Sequence, residues 1–425
     1  MLKAARGTSD ILPPETSKWV RLEESLRGVA ARYNYEEIRT PTFEYSELFS
    51  RTVGETTDLV EKEMYTFKDK TGRDLTLRPE GTAPVARAFV EHGMAQGSLP
   101  RKFFYIAPMF RYEKPQAGRF REHRQFGVEA LGSQSPYSDV EVIMLAVDAS
   151  KELGLLGTEL YLNSIGCPAC RAKLKEDLVE YLSARLDKLC PDCRSRINRN
   201  PMRVLDCKQD SCRQEVAGAP RMLDYLCDEC KAHWDEMTSI LTGMGLSYQV
   251  DHSLVRGLDY YTKTVFELKW PLLGSQGTLV GGGRYDGLVQ DIGGQPTPGV
   301  GFGMGMERIL LATEKGEKPI PPGNLLDLFV AGGRSEAVDL RLKVFGLVQE
   351  LRSLGVTCDF DPLQRSLKAQ MKQADRLGAR LVAILGEDEV AQGVVTVRSM
   401  AQGWQKTVAR NEIAAFCEEV KANGR

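Results

Sequence analysis

The sequence predicts an α+β chain of two domains, the first interrupted by a cysteine-rich insertion and the second a small α/β unit. Three observations lead there. Two strand-like runs, Phe103 to Tyr112 and Phe126 to Leu131, are joined by a polar connection bearing proline and glycine, the pattern of an antiparallel pair with a long charged loop. Eight of the ten cysteines fall between Cys167 and Cys230. Beyond a linker, EKGEKPIPPGN, strand-like and helix-like segments alternate.

Bulk properties narrow the class. A length of 425 residues suits two or three domains. With 42% hydrophobic and 27% charged residues, the composition is that of a globular chain with a full core. The net charge of −2 gives no global pull toward nucleic acid, so such a partner would rest on local patches. No apolar run approaches bilayer length. The start, MLKAARGTSDILPPE, lacks an apolar signal core, which argues against secretion. The cysteines are therefore read in a reducing cytoplasm, where metal binding or redox chemistry precedes disulfides.

Along the chain, Pro13-Pro14-Glu15 opens a helix whose apolar face is Trp19, Leu22, Leu26, Val29 and Tyr33. Ile38 to Tyr45 is extended, with Pro41 placing it at an edge or bend. Leu75 to Leu77 reads as a strand and Thr82 to Glu91 as a helix, Gly81 permitting the turn and Thr82 placed as a cap. Glu159 to Asn163 is a strand. Residues 166–245 form the insertion, and strand character resumes at Tyr248 and at Thr264 to Trp270. GGGRYDG, Gly281 to Gly287, reads as a three-glycine turn. In the last domain, LLDLFVAG and Val356 to Asp359 are strands and Val338 to Leu354 a helix. Ser366 to Leu377 is a helix, Leu381 to Leu385 a strand, and Val394 to Val397 the last strand.

Several stretches could carry chemistry. In TLRPEGTAP, Glu80 and Thr82 offer a carboxylate and a hydroxyl where a strand becomes a helix, suited to an ammonium group; a capped helix start would look the same. Arg111 and Glu113 share one side of their strand, and Gln125, Gly127 and Glu129 one side of its partner. That polar face leaves Phe110, Tyr112, Phe126 and Val128 for the core. An arginine there can grip phosphate with two parallel bonds. Between Arg101 and Arg124 seven Lys/Arg face two Glu, a local net of +5 that could meet a nucleic-acid backbone. GVGFGMGMERIL, Gly299 to Leu310, spaces its glycines G-x-G-x-G. Met306 breaks the dinucleotide fingerprint and no lysine completes a P-loop. Its glycines permit close backbone approach, and Arg308 suggests an anion.

PTFEYSELF, FRYE…GRFREHRQFGVE and GFGMGMERIL, in this order, resemble motifs 1, 2 and 3 of class II aminoacyl-tRNA synthetases. TLRPEGT, LVRGLDYYT and GGGRYDGLV add the pattern of the histidyl-tRNA synthetase family. The resemblance spans essentially the whole chain. It implies an antiparallel-sheet catalytic domain over residues 1–322, interrupted by the insertion, and an anticodon-binding domain over 326–425. It further implies a cytoplasmic homodimer built on motif 1, with ATP, Mg²⁺, L-histidine and tRNA(His) as partners and no membrane association. Arg111 would bind the ATP α-phosphate, Glu113 would lie near the adenine, and Arg308 would hold the γ-phosphate. Glu80, Thr82 and Gln125 match residues at the amino-acid ammonium; Glu129 and Tyr261, beside Tyr260, match those at the imidazole, with Tyr285 lining the pocket. Arg256 matches an arginine at the reacting carboxylate and phosphate. Gln116, Arg119 and Arg121 would face the acceptor end of tRNA, and the last domain would bind the anticodon, with a basic stretch from Arg365 through Lys368 to Lys372 and Arg376 along one helix; a solvated helix face would look the same. A histidine-binding regulatory paralogue without ligase activity is the alternative, although such paralogues usually lack the LVRGLDYY arginine and the last domain. An RNA-binding protein without ligase activity is a third reading, opposed by the intact arginines.

The resemblance does not settle the cysteines. Spacing alone would join Cys167/Cys170 to Cys190/Cys193 as one zinc site. The intervening RAKLKEDLVEYLSARLDKL has helical leucines at 174, 178, 182 and 186. As one helix it would part those pairs by roughly 28 Å, far beyond a Zn–S bond of ~2.3 Å. A nested grouping follows instead: Cys190, Cys193, Cys207 and Cys212 in one site, and Cys167, Cys170, Cys227 and Cys230 in a second. Reduced structural or redox thiols remain the other reading. Cys358 and Cys417 read as buried thiols.

Overall fold

The computed structural model describes residues 2–54, 57–114, 118–316, 320, 326–333, 339–363 and 365–423, the side chains of 275, 276 and 423 excepted. Two compact units emerge, residues 1–12 with 18–320 and residues 13–17 with 321–425. No helix among the described residues is long and apolar enough to cross a membrane.

The strands of the first unit are, in chain order, β1 (Glu36–Glu37), β2 (Phe43–Tyr45), β3 (Tyr65–Lys68), β4 (Asp74–Leu77), β5 (Arg101–Phe110), β6 (Glu122–Leu131), β7 (Glu159–Ser164), β8 (Tyr248–Val250), β9 (Thr262–Lys269), β10 (Thr278–Arg284) and β11 (Gly299–Gly305). Eight of them form the main sheet in the order β1-β5-β6-β11-β10-β9-β7-β8, and β2-β4-β3 form a small second sheet. Every pairing from β5 to β7 is antiparallel; only the edges β1 and β8 run parallel to their neighbours. The expected α+β class is what forms.

Side-chain alternation gives the main sheet two different faces. Phe126, Val128, Phe266, Val280 and Phe302 join one core with Trp19, Leu22, Leu26 and Val29 of the helix Glu15–Arg32 and with Val142, Ile143 and Ala146 of the helix Pro136–Glu152. Leu131, Val265, Phe103 and Tyr105 join the other core, with Phe89 of the helix Thr82–Glu91 and Leu174, Leu178 and Leu182 of the insertion. The insertion is helical throughout: Pro168–Ser183, Pro191–Arg199, Met202–Leu205, Asp210–Val216 and Asp228–Gly243. Its last helix returns Met237 and Leu241 to the first core, so the insertion is packed into the first unit and does not hang from it.

Several expectations need correction. Gly281 to Gly283 are not a turn; they lie inside β10, a central strand. Tyr112 does not face the core. β5 ends at Phe110, alternation stops there, and Tyr112 is exposed, stacked edge-on with Tyr65 and covered by Arg121. The leucine helix of the insertion stops at Ser183, which leaves Leu186 exposed on a short 3₁₀ turn. Ile38 to Tyr45 is not one extended piece, since Pro41 sits between β1 and β2.

The second unit holds β12 (Leu328–Gly332), β13 (Cys358–Phe360), β14 (Leu381–Leu385), β15 (Val394–Ser399) and β16 (Gln405–Ala409), in the sheet order β13-β12-β14-β15-β16. The first three are parallel and the last two antiparallel. Val394 to Val397 is thus not the last strand; β16 pairs with it after a turn at Gly403, whose φ of 72° is the left-handed conformation glycine tolerates. The helix Leu367–Arg376 packs Gln370 and Ala374 inward and leaves Lys368, Lys372 and Arg376 exposed one turn apart. Cys358 and Cys417 are buried thiols.

Candidate active site and cysteine clusters

The second-core face of the main sheet carries a row of small residues. Register places Tyr105 of β5, Gly127 of β6, Gly303 of β11, Gly281 of β10, Glu267 of β9 and Tyr161 of β7 side by side. Three successive central strands, about 4.8 Å apart, therefore present glycine. A methyl group at Gly303 would overlap the Gln125 amide, at Gly301 the Glu129 carboxylate, and at Gly281 the Arg256 guanidinium. The glycines of GVGFGMG thus let neighbouring polar side chains lie flat across the sheet. That is a more specific use than the close backbone approach their spacing suggested.

Above this floor lies a cavity of about 1460 Å³. It exceeds the usual ~300–1,000 Å³ of a small-molecule pocket, and so has room for two reactants. Of the described residues, six arginines line it, among them Arg111, Arg256 and Arg308. Arg111 donates Nε to the Pro79 carbonyl at 2.8 Å. Arg256 donates Nη1 to Glu267 at 3.0 Å and stands 5.6 Å from the Tyr261 ring. Arg308, early in the helix Met306–Lys315, donates Nη1 to the Thr278 carbonyl at 2.6 Å. The buried Nε atoms of Arg256 and Arg308 and the buried Oε1 of Gln125 have no hydrogen-bond partner among the described residues. Such groups are costly to leave unpaired; the two Nε–H donors suit an anionic occupant and the Gln125 oxygen a hydrogen-bond donor.

Beside these arginines, the cavity wall is built on the turn before the helix Thr82–Glu91. Thr82 is not the cap expected. It is the first helical residue, and the Glu80 carboxylate accepts from the backbone N–H groups of Thr82 (2.7 Å) and Ala83 (2.8 Å). The Thr82 hydroxyl instead donates to Glu129 at 2.7 Å, and the Tyr285 hydroxyl donates to the other Glu129 oxygen. Burial pushes the Glu129 carboxyl up to about 8, and pushes Glu80 upward as well. Tyr260 and Tyr261 stack at 4.7 Å, and Tyr260 meets Tyr285 edge-on at 5.8 Å. Glu80, Thr82, Gln125, Tyr260 and Tyr261 line the cavity, whereas Glu129 and Tyr285 lie just beneath its wall.

The remaining predicted residues are arranged differently. Glu113 lines the cavity, 4.0 Å from Arg111 and 3.2 Å from Arg119. Arg121 turns back to the Glu113 carbonyl and the Tyr112 ring, so these two loop arginines are engaged within the protein. Gln116 lies outside the described residues. Two wall residues were not anticipated. Glu267 anchors Arg256, and its position opposite Gly281 depends on a register that no local pattern reveals. His123 is kept neutral, lowered to about 3 by burial and by Arg111 and Arg308; its alternation with Gln125 on β6 was the available signal.

The eight insertion cysteines gather in two tetrads, Cys167/Cys170/Cys227/Cys230 and Cys190/Cys193/Cys207/Cys212, each with its sulfurs within 4.8 Å of one another. Local structure explains the grouping. Cys167, Cys190 and Cys227 sit in extended conformation just before a helix, so the cysteine three residues on comes back to the same side. Recorded Sγ separations are 3.5 Å for Cys167–Cys170 and 3.9 Å for Cys167–Cys227 and Cys190–Cys207. A tetrahedron of ~2.3 Å Zn–S bonds has edges of about 3.8 Å, so both sets fit that ion.

Comparison with known proteins bears on the whole chain. A family model described as histidyl-tRNA synthetase matches residues 7–309, and an anticodon binding domain model matches residues 328–420. The histidine–tRNA ligase of Halothermothrix orenii is 50% identical over 422 residues, 99% of each chain. That of Moorella thermoacetica is 51% identical over 420 residues, covering 99% of this chain and 98% of the relative. The crystal structure of apo S. aureus histidyl-tRNA synthetase superposes with a TM-score of 0.81 at 39% identity, covering 98% of this chain and 99% of that one. With a family model across the sheet that carries the site and relatives matching end to end at half identity, the chain belongs to the histidyl-tRNA synthetase family.

Proposed function

We propose that this cavity joins L-histidine to ATP and then to tRNA(His), the activity of a histidine–tRNA ligase. The observation that carries it is the meeting of Arg111, Arg256 and Arg308 with Glu80, Tyr260 and Tyr261 around one cavity. In the first step a histidine carboxylate oxygen attacks the α-phosphorus, and the bond to pyrophosphate breaks. Two anions must approach, so Arg111 and Arg256 would stabilise the charge that develops, with Arg308 on the γ-phosphate. Mg²⁺ would enter with the nucleotide and screen its phosphates; Glu113 and Glu267 supply wall carboxylates that suit such a hard cation. In the second step the tRNA 3′-terminal hydroxyl attacks the acyl carbon, AMP leaves, and its phosphate oxygen can take the proton. No protein base is required, and burial with Arg111 and Arg308 lowers His123 on the cavity wall to about 3, which makes it a poor one.

Glu80, Thr82 and Gln125 would receive the ammonium group and Tyr261 and Tyr260 the imidazole. Glu129 would reach the ring by releasing its bond from Thr82 or Tyr285. Arg119 and Arg121 would meet the acceptor end by exchanging their contacts to Glu113 for phosphates. The exposed row Lys368, Lys372 and Arg376 would meet the anticodon arm. Each cysteine tetrad would hold one Zn²⁺ as a closed, structural site, and ten free thiols suit the cytoplasm. The regulatory alternative is not kept: Arg256 stands on the cavity wall, and the relatives matched over the full chain are named as ligases. Histidine-dependent ATP–pyrophosphate exchange followed by charging of tRNA tests the reading; no exchange, or equal exchange with another amino acid, sinks it.

Three predictions arise here, two on Glu129 and one on assembly. Glu129→Ala should raise the KM for histidine about tenfold, the weight of one hydrogen bond of ~1–1.5 kcal/mol, and leave the KM for ATP near its original value. Equal changes in both would refute the pocket assignment. Glu129 also sets a pH dependence. Its folded value of about 8 lies above the ordinary 4.5, so the folded state binds the extra proton and the associated stability declines as pH rises through that interval. Glu129→Gln should flatten the decline in a melting-temperature series. The other prediction concerns assembly. Phe43, Tyr45 and Phe67 are exposed on the small sheet, Phe43 and Tyr45 within the motif 1 stretch. An apolar patch of this kind suits a second copy of the chain. Light scattering should give twice the 47.3 kDa chain mass, and Phe43→Asp with Phe67→Asp should halve it.

A further inference from the structure

The two cysteine tetrads lie against the segment Leu254–Thr262, which carries Arg256, Tyr260 and Tyr261. Arg171, directly after Cys170, donates Nη1 to the Tyr261 carbonyl at 2.9 Å. Glu229, between Cys227 and Cys230, accepts from the Lys263 ammonium at 2.7 Å, and the Lys263 amide donates to the Gly166 carbonyl beside Cys167 at 2.9 Å. The other tetrad reaches the same segment. Asn200, between Cys193 and Cys207, donates Nδ2 to Asp259 at 3.1 Å, and Cys207 itself lines the cavity. The segment that positions the tyrosines and Arg256 is therefore gripped from two sides by short turns whose own geometry is set at the tetrads.

We infer that these tetrads are two metal clasps, each binding one Zn²⁺, which position the Arg256–Tyr261 segment and so govern histidine recognition. The inference rests on the ligase reading of the cavity for its kinetic part only. A four-thiolate ion joins turns that are far apart in sequence: Cys170 and Cys227 are 57 residues apart, and Cys190 and Cys207 are 17. Closing such loops through a metal removes the freedom the turns would otherwise have. Backbone amides already donate to the sulfurs, the Cys227 amide to Cys170 (3.1 Å) and the Cys190 amide to Cys212 (3.2 Å). Removing either ion would loosen Arg171 or Asn200, and through them the tyrosines of the cavity wall. The β10–β11 floor, bonded strand to strand, would be spared.

The test uses the full chain, purified under reducing conditions, with zinc as the probe. Elemental analysis should give two zinc ions per chain, and Cys193→Ser and Cys230→Ser should each retain one. Stripping the metal with a chelator should speed amide hydrogen exchange in a peptide covering 254–262 by about tenfold or more, with peptides of β14 and β15 as the unchanged control. The KM for histidine should rise at least about fivefold while that for ATP moves less than about twofold. Because cysteine variants can misfold, Arg171→Gln provides a second arm: it should keep both ions and still speed exchange in the 254–262 peptide. Failure to take up zinc, intact-mass loss of two hydrogens per cysteine pair from disulfides, or unchanged exchange after stripping overturns the inference. If the metal and exchange results appear as expected but no histidine-dependent pyrophosphate exchange occurs at any zinc level, the ligase reading fails and the clasps stand.

Discussion

Replacing Arg256 by alanine is expected to lower kcat for histidine-dependent ATP–pyrophosphate exchange roughly 10²–10³-fold, the usual loss when one preorganised donor to a developing oxyanion is removed. The structure gives a reason to place the effect in kcat. Arg256 is held before substrate arrives, by Glu267 at 3.0 Å and by the Tyr261 ring, and its Nε remains buried and unpaired. A group already oriented contributes little to ground-state binding beyond its charge and most where new charge appears. Arg256→Lys should recover only part of the rate, because a point charge cannot reproduce the planar fork. Gly281→Ala offers an independent check. The new methyl would displace the guanidinium from above, so the variant should reproduce much of the kcat defect with Arg256 still present. A kcat within about threefold of the parent for Arg256→Ala would remove this residue from the chemistry.

The sequence carried local structure well where one segment contains its own signal. The helix Thr82–Glu91 was bounded to the residue, because glycine before it and apolar periodicity within it are both local. The α+β class followed from the β5–β6 pair and the alternating second unit. What escaped depended on pairings between distant segments. Gly281 to Gly283 look like a turn because glycine is depleted in strands. They are a strand because β9 and β11 flank them and the side chains of Arg256, Phe302 and Tyr261 occupy the space that larger residues would fill. The cap on Thr82–Glu91 was misassigned for a related reason. The Thr82 hydroxyl is drawn to Glu129 across the sheet, and Glu80 takes over the helix amides. Glu267 shows no motif and becomes visible only when register brings it to the cavity wall, whereas the alternation of His123 with Gln125 on β6 was a local signal left unread.

Arg284 illustrates the same dependence and gives the largest expected loss of stability. It follows the three glycines of β10, and it is fully buried opposite the fully buried Asp139 of the helix Pro136–Glu152. Its Nε lies 3.1 and 3.2 Å from the two carboxylate oxygens, and Nη1 reaches the Ser133 carbonyl at 2.8 Å and Asp286 at 3.1 Å. His233 of the insertion approaches the same carboxylate at 3.4 Å. Burial alone would push Asp139 upward, but Arg284 and His233 outweigh it and hold the carboxyl at about 2. Because this lies below the ordinary 3.8, the associated stability is present above that pH and is lost as pH falls toward 2. Arg284→Met leaves a buried carboxylate without its main partner, which should cost about 3–5 kcal/mol, whereas Asp139→Leu with Arg284→Met removes both charges and should recover most of the loss. Differential scanning calorimetry of the two variants separates the cases. A double variant as unstable as the single one would mean that the pair contributes more than mutual neutralisation, and that its bonds to Ser133 and Asp286 are what fix Tyr285 beneath the cavity.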